Sequence, residues 1–311
     1  MIFDMPDTTT ALVSKSLVSI REEGGAVALG RVLTLVISTA PGQEEEAIAA
    51  ANEASREHPM RVIVLSIPRE STHITNRLDA EIRVGGDAGA SEVVVLRAYG
   101  DVGSDERGLV TGLLLPDTPI VAWWPNDAPP VVSQSALGNM AQCRITDSAG
   151  SSHPMGRLGE LSQTYAPGDA DFAWTRITPW RTQLAAVLDQ PPHDAITAIS
   201  VSMSANSPSG RLLAAWLSLR LGVPVSIELT HHVPDDGSIH RVALTRADGD
   251  IVLTQRNDKV ARLEQPGQPT HDISLSRRSL RDCLAEELRH LDPDVVYGDV
   301  VTQGLTLVSK A

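Results

Sequence analysis

The chain has 311 residues, a length that accommodates two domains of about 150 residues each. Its formal net charge is −13, since 39 acidic residues outnumber 26 lysines and arginines, and this balance disfavours nucleic acid and anionic membrane as partners. Two cysteines, Cys143 and Cys283, exclude a disulfide scaffold. The N-terminus lacks a signal-peptide pattern and no apolar run reaches the length of a membrane span, so we expect a cytoplasmic protein.

The first half of the chain alternates helical patterns with short apolar runs. Thr10 is a candidate cap for a first helix, which Gly24-Gly25 is expected to end. Glu44–Glu46 place three carboxylates in the first turn of a second helix, where the helix dipole favours them. Four runs predict buried strands: Arg31–Ser38, Arg61–Ile67, Glu92–Leu96 and Ile120–Trp124. Strands that alternate with helices imply right-handed crossovers, so we predict a Rossmann-like, mostly parallel sheet.

A change of pattern near residue 168 indicates a domain boundary. Two predicted helices, Gly156–Tyr165 and Thr178–Leu188, flank the turn Pro167-Gly168-Asp169. We therefore predict a Rossmann-like α/β domain at residues 1–168 and an α+β domain at residues 169–311.

The second half is expected to contain an antiparallel sheet. Apolar runs predict strands at Ala195–Met203, Val225–Leu229, Ile239–Arg246, Ile251–Gln255 and Val260–Leu263. Asp248-Gly249 lies between two of these runs and is a strong hairpin signal. A helix from Ser209 to Leu221 ends at Gly222, and Arg278–Leu291 is the last predicted helix.

Two adjacent tryptophans, Trp123-Trp124, stand out because the whole chain has only 5 Trp, 3 Tyr and 2 Phe. Neighbouring side chains of an extended segment point to opposite faces, so one indole can fill the core while the other faces a second surface. Pro125 and nearby prolines stiffen the segment, and a rigid aromatic side chain is typical of a protein-binding anchor. Trp123, Trp124 and Pro125 are therefore candidate partner-binding residues. The alternative is a pair of core tryptophans that closes a sheet edge.

A second aromatic group lies beside the predicted boundary. It contains Trp174, Arg176, Trp180 and Arg181, and both residue types are enriched at the energetic centres of interfaces. These four side chains are a further candidate for partner binding. Alternatively, the tryptophans join the two halves of the chain and the arginines pair with internal carboxylates.

Motifs for catalysis and cofactor binding are absent from the sequence. No G-x-G-x-x-G follows a predicted strand, and the glycines at 85–89 precede a strand with the wrong spacing. There is no Walker lysine loop and no H-E-x-x-H, C-x-x-C or G-x-S-x-G motif. His231-His232 is the only histidine cluster, and no further ligand stands at a useful spacing. We therefore predict no catalytic residue, no cofactor and no metal.

One segment could hold an anion at a helix N-terminus. Between Ser204 and Arg211 the chain leaves a strand and enters a helix, and small residues expose backbone N–H groups there. Ser207, Ser209 and Gly210 would contact a phosphate, with Arg211 as the counter-charge. The alternative is an ordinary helix cap with a proline in the first turn.

Four segments occur in a specific order: Arg21–Gly25, Leu113–Pro125, Thr175–Arg181 and Leu291–Tyr297. Leu113–Pro125 contains both Leu-Pro-Asp-Thr-Pro and Trp-Trp-Pro. Together the segments resemble the OpcA family, the glucose-6-phosphate dehydrogenase assembly proteins of actinobacteria and cyanobacteria. The resemblance runs from about Thr8 to Tyr297, nearly the whole chain.

The resemblance implies a non-catalytic protein that binds glucose-6-phosphate dehydrogenase and promotes its assembly or its activity as an allosteric activator. Such a protein would support NADPH supply through the oxidative pentose phosphate pathway. Some branches of the family are linked to redox control through cysteine, but neither Cys143 nor Cys283 matches such a site, so we expect little redox sensitivity. The alternative function is a sugar-phosphate sensor or enzyme that uses the Ser204–Arg211 segment.

Overall fold

The protein forms two compact units in the structure, which is a computed structural model. The described residues are 1–23, 30–68, 75–85, 92–191, 193–230 and 237–308. Unit 1 comprises Met1–Thr146, Gly168–Ala170 and Leu280–Pro293, and unit 2 comprises Asp147–Pro167, Asp171–Ser279 and Asp294–Ala311. The division into two domains near residue 168 stays a prediction.

Unit 1 is built on a mostly parallel sheet, which confirms the predicted α/β class. The strands of this sheet are β1 (Ile2–Met5), β2 (Leu33–Thr39), β3 (Met60–Ser66), β4 (Arg77–Arg83), β5 (Glu92–Tyr99), β6 (Ile120–Trp124), β7 (Cys143–Thr146) and β8 (Asp169–Asp171). Their spatial order is β1-β4-β5-β3-β2-β6-β7-β8. The predicted strands correspond to β2, β3, β5 and β6, and their residues are almost all buried, as expected for internal parallel strands.

The predicted strands do not include β1 and β4, which pair antiparallel at one edge of this sheet. β4 alternates charged and apolar side chains, which is the pattern of a half-buried strand that the prediction did not include. Glu81 accepts hydrogen bonds from Arg83 at 2.5 Å and from Arg97 of the neighbouring β5 at 3.0 Å. These ion pairs link charged side chains on the polar face of the sheet and stabilise the pairing of β4 with β5.

Unit 2 contains a mixed sheet with mostly antiparallel strands, as predicted. The strands of this sheet are β9 (Ala198–Ser204), β10 (Val225–Thr230), β11 (Ile239–Arg246), β12 (Gly249–Gln255), β13 (Val260–Glu264) and β14 (His271–Ser274). Their order is β10-β9-β11-β12-β13-β14, and only β9 and β10 among these described strands are parallel to each other. Arg246 pairs with Gly249, which confirms the hairpin. The predicted strands do not include β14.

Most predicted helices are confirmed with small shifts at their ends. The helices are α1 (Thr10–Glu23), α2 (Glu44–Ala54), α3 (Glu106–Thr111), α4 (Pro154–Thr164), α5 (Phe172–Thr175), α6 (Thr178–Leu188), α7 (Pro208–Leu221), α8 (Leu280–Glu287), α9 (Val295–Asp299) and α10 (Leu305–Val308). Gly222 ends α7 with a left-handed φ of 68°, as predicted. The cap of α1 is Thr9 rather than Thr10, because the Thr9 hydroxyl accepts from the Leu12 N–H. Gly24-Gly25 lies outside the described residues.

The last segment of the chain is more helical than its sequence indicates. Between α9 and α10, residues Val300–Gly304 form a π-helical turn that the sequence does not predict. In the part of the chain that the structure covers, no helix is both long and apolar enough to cross a bilayer.

Candidate functional site

The connections of unit 1 create a switch point between β2 and β6. β2 leads through α2 to β3 on one side, whereas β6, its neighbour on the other side, comes from later in the chain. In open α/β sheets, ligands bind in the crevice outside the carboxyl ends of the strands at such a point. The strand ends here are Thr39 and Trp124. This edge of unit 1 is therefore the candidate functional site.

Two cavities open at this edge of the sheet. The first, which we call the strand-end cavity, has a volume of about 250 Å³, and its lining includes Ser38, Thr39, Glu106, Trp124, Asp127 and Pro129. The second has a volume of about 270 Å³, and its lining includes Gly42, Gln43, Glu45, Glu46, Pro125 and Asn126. Both cavities carry carboxylates, which is the wrong charge for a phosphate.

The N-terminus of α2 follows β2, in the position where dinucleotide-binding folds hold a pyrophosphate. Here the first turn carries Glu44, Glu45 and Glu46. Glu44 is buried, accepts a hydrogen bond from the Ser66 hydroxyl at 2.6 Å and lies 3.9 Å from Arg97. The protein's own carboxylates therefore already neutralise the positive end of the helix dipole.

Glu45 is held at the same place by a bidentate ion pair. Arg83 donates two hydrogen bonds to the Glu45 carboxylate, at 2.6 and 2.9 Å. The hydrogen bond from Arg83 lowers the pKa of Glu45, so this carboxylate is ionised at neutral pH. A negative group at this helix end repels a phosphate.

The turn from β2 to α2 does not have the geometry of a phosphate loop either. Pro41 has no backbone N–H, and Gly42 is the single glycine of the turn, with a left-handed φ of 84°. Gln43 precedes the helix and gives it no side-chain cap. The turn thus contains one glycine and one residue without an N–H, and it lacks the repeated glycines of a dinucleotide-binding loop.

Sequence analysis did not identify the most unusual side chains of the strand-end cavity. Burial raises the pKa of the Glu106 carboxyl, and no ion pair of Glu106 exists within the described residues. Thr39 is 5% exposed, and its hydroxyl oxygen has no hydrogen-bond partner in that same set. The position of Thr39 could have identified it from the sequence, because Thr39 ends β2 and ligand sites at switch points lie at the ends of strands.

Trp123 and Trp124 are both buried, with exposures of 0 and 2%. The expectation that one indole faces a second surface is therefore wrong. β6 is an internal strand of a mostly parallel sheet, paired with β2 and β7, and sheets of this kind are covered on both faces by packed elements. Trp124 lines the strand-end cavity and Pro125 lines the second cavity. A partner-binding role for Trp123, Trp124 and Pro125 stays a prediction.

The second candidate group forms a connected cluster within unit 2. The Trp174 indole N–H donates to Asp294 at 2.8 Å, and the Arg181 guanidinium lies 3.7 Å from the Trp174 ring centroid. Arg176 makes two hydrogen bonds of 2.6 Å to Asp147. Trp180 is 7% exposed. Arg176 thus pairs with an internal carboxylate, as the alternative interpretation predicts, and partner binding by this cluster stays a prediction.

The predicted anion-binding segment caps α7. The Ser207 hydroxyl donates to the Gly237 carbonyl at 2.6 Å and accepts from the Gly210 N–H at 3.0 Å. The Ser209 hydroxyl donates to the Ala173 carbonyl at 2.9 Å. The small polar groups that would contact a phosphate are therefore hydrogen-bonded inside the protein. The buried Nε of Arg211 has no hydrogen-bond partner among the described residues. The anion site stays a hypothesis.

Metal-binding side chains do not cluster in the described residues: no group of three or more His, Cys, Asp and Glu residues could hold an ion there. His231-His232 lies outside those residues.

We expect both cysteines to be unreactive in the folded protein. Burial raises the pKa of the Cys143 thiol to about 12, and the negative charge of Glu287 adds to this effect. Cys283 is fully buried. Because the thiolate is the reactive form, a colorimetric thiol reagent should titrate neither cysteine until denaturant is added. Rapid labelling of the native protein, abolished by Cys143→Ser or Cys283→Ser, would contradict this.

Comparison with known proteins identifies relatives for both halves of the chain. Residues 51–163 match the domain family described as the glucose-6-phosphate dehydrogenase subunit N-terminal domain, and residues 167–301 match the corresponding C-terminal domain. The OxPP cycle protein OpcA of Synechocystis sp. is 28% identical over 224 residues. That alignment covers 68% of this chain and 44% of the relative, so the chain spans less than half of that protein's length.

The chain was also compared with solved structures. An oxidoreductase from Sinorhizobium meliloti superimposes with a TM-score of 0.50 and 9% identity, over 90% of this chain and 97% of that chain. A myo-inositol 2-dehydrogenase from Lactobacillus plantarum has a TM-score of 0.43 and 8% identity, over 88 and 94% of the two chains. At such low identity the first of these likenesses shows a common fold alone.

Proposed function

Because this chain belongs to the OpcA family of glucose-6-phosphate dehydrogenase subunits, we propose that it binds glucose-6-phosphate dehydrogenase and promotes that enzyme's assembly or activity without being an enzyme itself. Its role would be to support the oxidative pentose phosphate pathway in the cytoplasm.

One observation carries the non-catalytic part of this proposal. The fold places a ligand crevice at the carboxyl ends of β2 and β6, yet the N-terminus of α2 beside it carries Glu44, Glu45 and Glu46. A dinucleotide would have to bring its pyrophosphate against these carboxylates. Two unpaired unit charges about 4 Å apart repel by about 4 kcal/mol in the effective dielectric near a protein surface, and the arginines beside Glu44 and Glu45 reduce this repulsion. This arrangement opposes use of the crevice by a nicotinamide cofactor.

The charge of the chain supports a protein partner with a basic surface. Residues 1–170 hold 22 Asp and Glu against 12 Lys and Arg. An acidic surface accelerates encounter with a basic one, and the effect weakens as salt is added. Encounter alone does not activate an enzyme. An activator must bind the active form of its partner more tightly than the inactive form, by a free energy equal to the shift it produces.

The proposal is tested by co-purification of tagged chain with the dehydrogenase from the same organism, followed by an activity assay with and without the chain. We expect a stable complex and a higher dehydrogenase activity at saturating chain. The chain alone should reduce no NADP⁺ in the presence of glucose 6-phosphate. No complex at low salt, or sustained turnover by the isolated chain after removal of contaminants, would contradict the proposal.

We also expect the isolated chain to bind neither glucose 6-phosphate nor NADP⁺. The hydroxyls of Ser207 and Ser209 are engaged by backbone carbonyls, and carboxylates occupy the first turn of α2. Isothermal titration calorimetry at millimolar ligand should therefore show only heats of dilution. Saturable heat with glucose 6-phosphate, lost in Arg211→Ala, would instead support the alternative function of a sugar-phosphate sensor.

A further inference from the structure

We propose that the strand-end cavity is a socket for one cationic side chain, an arginine or a lysine, that the dehydrogenase inserts when it binds. This inference rests on the proposed function and adds to it the surface that is used and the chemistry of the group that enters. The crevice at the carboxyl ends of the strands, where open α/β sheets bind small ligands, would thus serve to recognise a protein.

The size of the cavity fits a side chain better than a cofactor. Its volume is about 250 Å³. Pockets for small molecules and cofactors are roughly 300–1,000 Å³. A single long side chain needs less space than a cofactor, and it can enter from outside while its backbone stays on the partner's surface.

The lining of the cavity has the chemistry that an arginine or lysine requires. Glu106 and Asp127 supply carboxylates, and the Trp124 indole and Pro129 supply apolar surface for the aliphatic stem. An aromatic ring next to carboxylates is a favourable environment for a guanidinium group in particular. Among the described residues, the lining contains no arginine or lysine.

Glu106 indicates that this site is incomplete in the isolated chain. The carboxyl is partly buried and has no cation within ion-pair distance among the described residues, in contrast to Glu44, Glu45, Glu81 and Glu92, which all have arginine partners. Burial of a carboxylate without a partner destabilises its ionised form. A cation from the partner would remove that penalty, so its pairing with Glu106 would contribute favourably to the free energy of binding.

Thr39 is a second observation at this cavity, and it is one of three described threonines, with Thr8 and Thr230, whose buried hydroxyl oxygen has no partner. It is 5% exposed and lines the cavity, and its hydroxyl oxygen lacks a hydrogen-bond partner among the described residues. Buried hydroxyls are nearly always hydrogen-bonded, since an unsatisfied one costs about 1–3 kcal/mol. Thr34 in the same strand shows the usual situation, because its hydroxyl accepts from the Leu115 N–H at 3.1 Å. The donor that Thr39 lacks is what an ammonium or guanidinium supplies.

Two substitutions test the socket. Each should leave the stability of the protein equal or higher and should weaken its binding to the dehydrogenase. Glu106→Gln removes the buried charge, and Thr39→Val removes the unsatisfied hydroxyl with little change of shape. We expect each variant to unfold at an equal or higher denaturant concentration than the wild type at pH 7. We expect each to bind the dehydrogenase more weakly, by about 10- to 100-fold in Kd for Glu106→Gln. A purely structural role would not produce this combination.

Two matched variants serve as controls. Thr34→Val removes a buried hydroxyl that is satisfied, so it should lower stability and leave the affinity unchanged. Glu264→Gln removes an exposed carboxylate of unit 2 and should change neither quantity. Affinities are measured by calorimetry with the purified dehydrogenase at low and high salt, and the loss caused by Glu106→Gln should shrink at high salt.

The outcomes separate this inference from the proposed function. If wild type and Glu264→Gln bind the dehydrogenase and Glu106→Gln and Thr39→Val bind equally well, the socket is wrong while the proposed function stands. If the wild type binds no dehydrogenase, both fail. If the isolated chain binds NADP⁺ and Glu106→Gln abolishes that binding, the cavity is a nucleotide site and the inference is overturned.

Discussion

Replacing Trp123 with alanine is expected to lower the free energy of unfolding by about 3–5 kcal/mol, the usual cost of removing a buried aromatic side chain. The same loss is expected for Trp124→Ala, because Trp123 and Trp124 are 0 and 2% exposed. Since the free energy of unfolding of a natural protein is about 5–15 kcal/mol, either change removes a large part of the stability. Urea denaturation followed by circular dichroism measures the effect.

The two tryptophan variants should differ in binding rather than in stability. Trp124 lines the strand-end cavity, whereas Trp123 is not among its lining residues. Trp123→Phe and Trp124→Phe keep a ring in each position and serve as controls that stay folded. Of these, only Trp124→Phe should weaken binding of the dehydrogenase. A stability loss confined to one of the alanine variants would contradict the observed burial. It would instead support the expectation that one indole fills the core while the other faces a surface.

Arg176→Ala is expected to lower the free energy of unfolding by about 3–5 kcal/mol, because it leaves the Asp147 carboxylate without its partner. The Asp147 side chain is 3% exposed, and both hydrogen bonds to Arg176 are 2.6 Å long. Arg176→Lys should also destabilise the protein, since an ammonium cannot reproduce the two parallel hydrogen bonds.

An exposed pair provides the control for Arg176. Arg262 and Asp272 lie 3.2 Å apart with side-chain exposures of 38 and 53%, so Arg262→Ala should cost less than about 1 kcal/mol. Thermal unfolding of both variants and of Asp147→Asn gives the comparison. If Arg176→Ala keeps wild-type stability and loses the dehydrogenase, Arg176 belongs to the interface instead of to the internal ion pair.

The sequence alone determined the features that depend on local pattern. β2, β3, β5 and β6 are mostly apolar runs, as is typical of strands that are buried on both faces. The α6 helix, the Arg246–Gly249 hairpin and the Gly222 helix end follow from propensity and turn chemistry, which act over a few residues. The family was recognisable from four short segments for the same reason.

Only the tertiary structure decided which side chains meet. Alternation along β6 could not show that both indoles are enclosed, because burial depends on what packs over the two faces of the sheet. The ion pair of Arg97 in β5 with Glu81 in β4 likewise depends on the order of the strands in the sheet. Glu106 and Thr39 are 67 positions apart along the chain and enter one cavity through the order of the strands. That these two side chains lack partners can be recognised only from their burial, and burial is a property of the folded chain and not of any one segment.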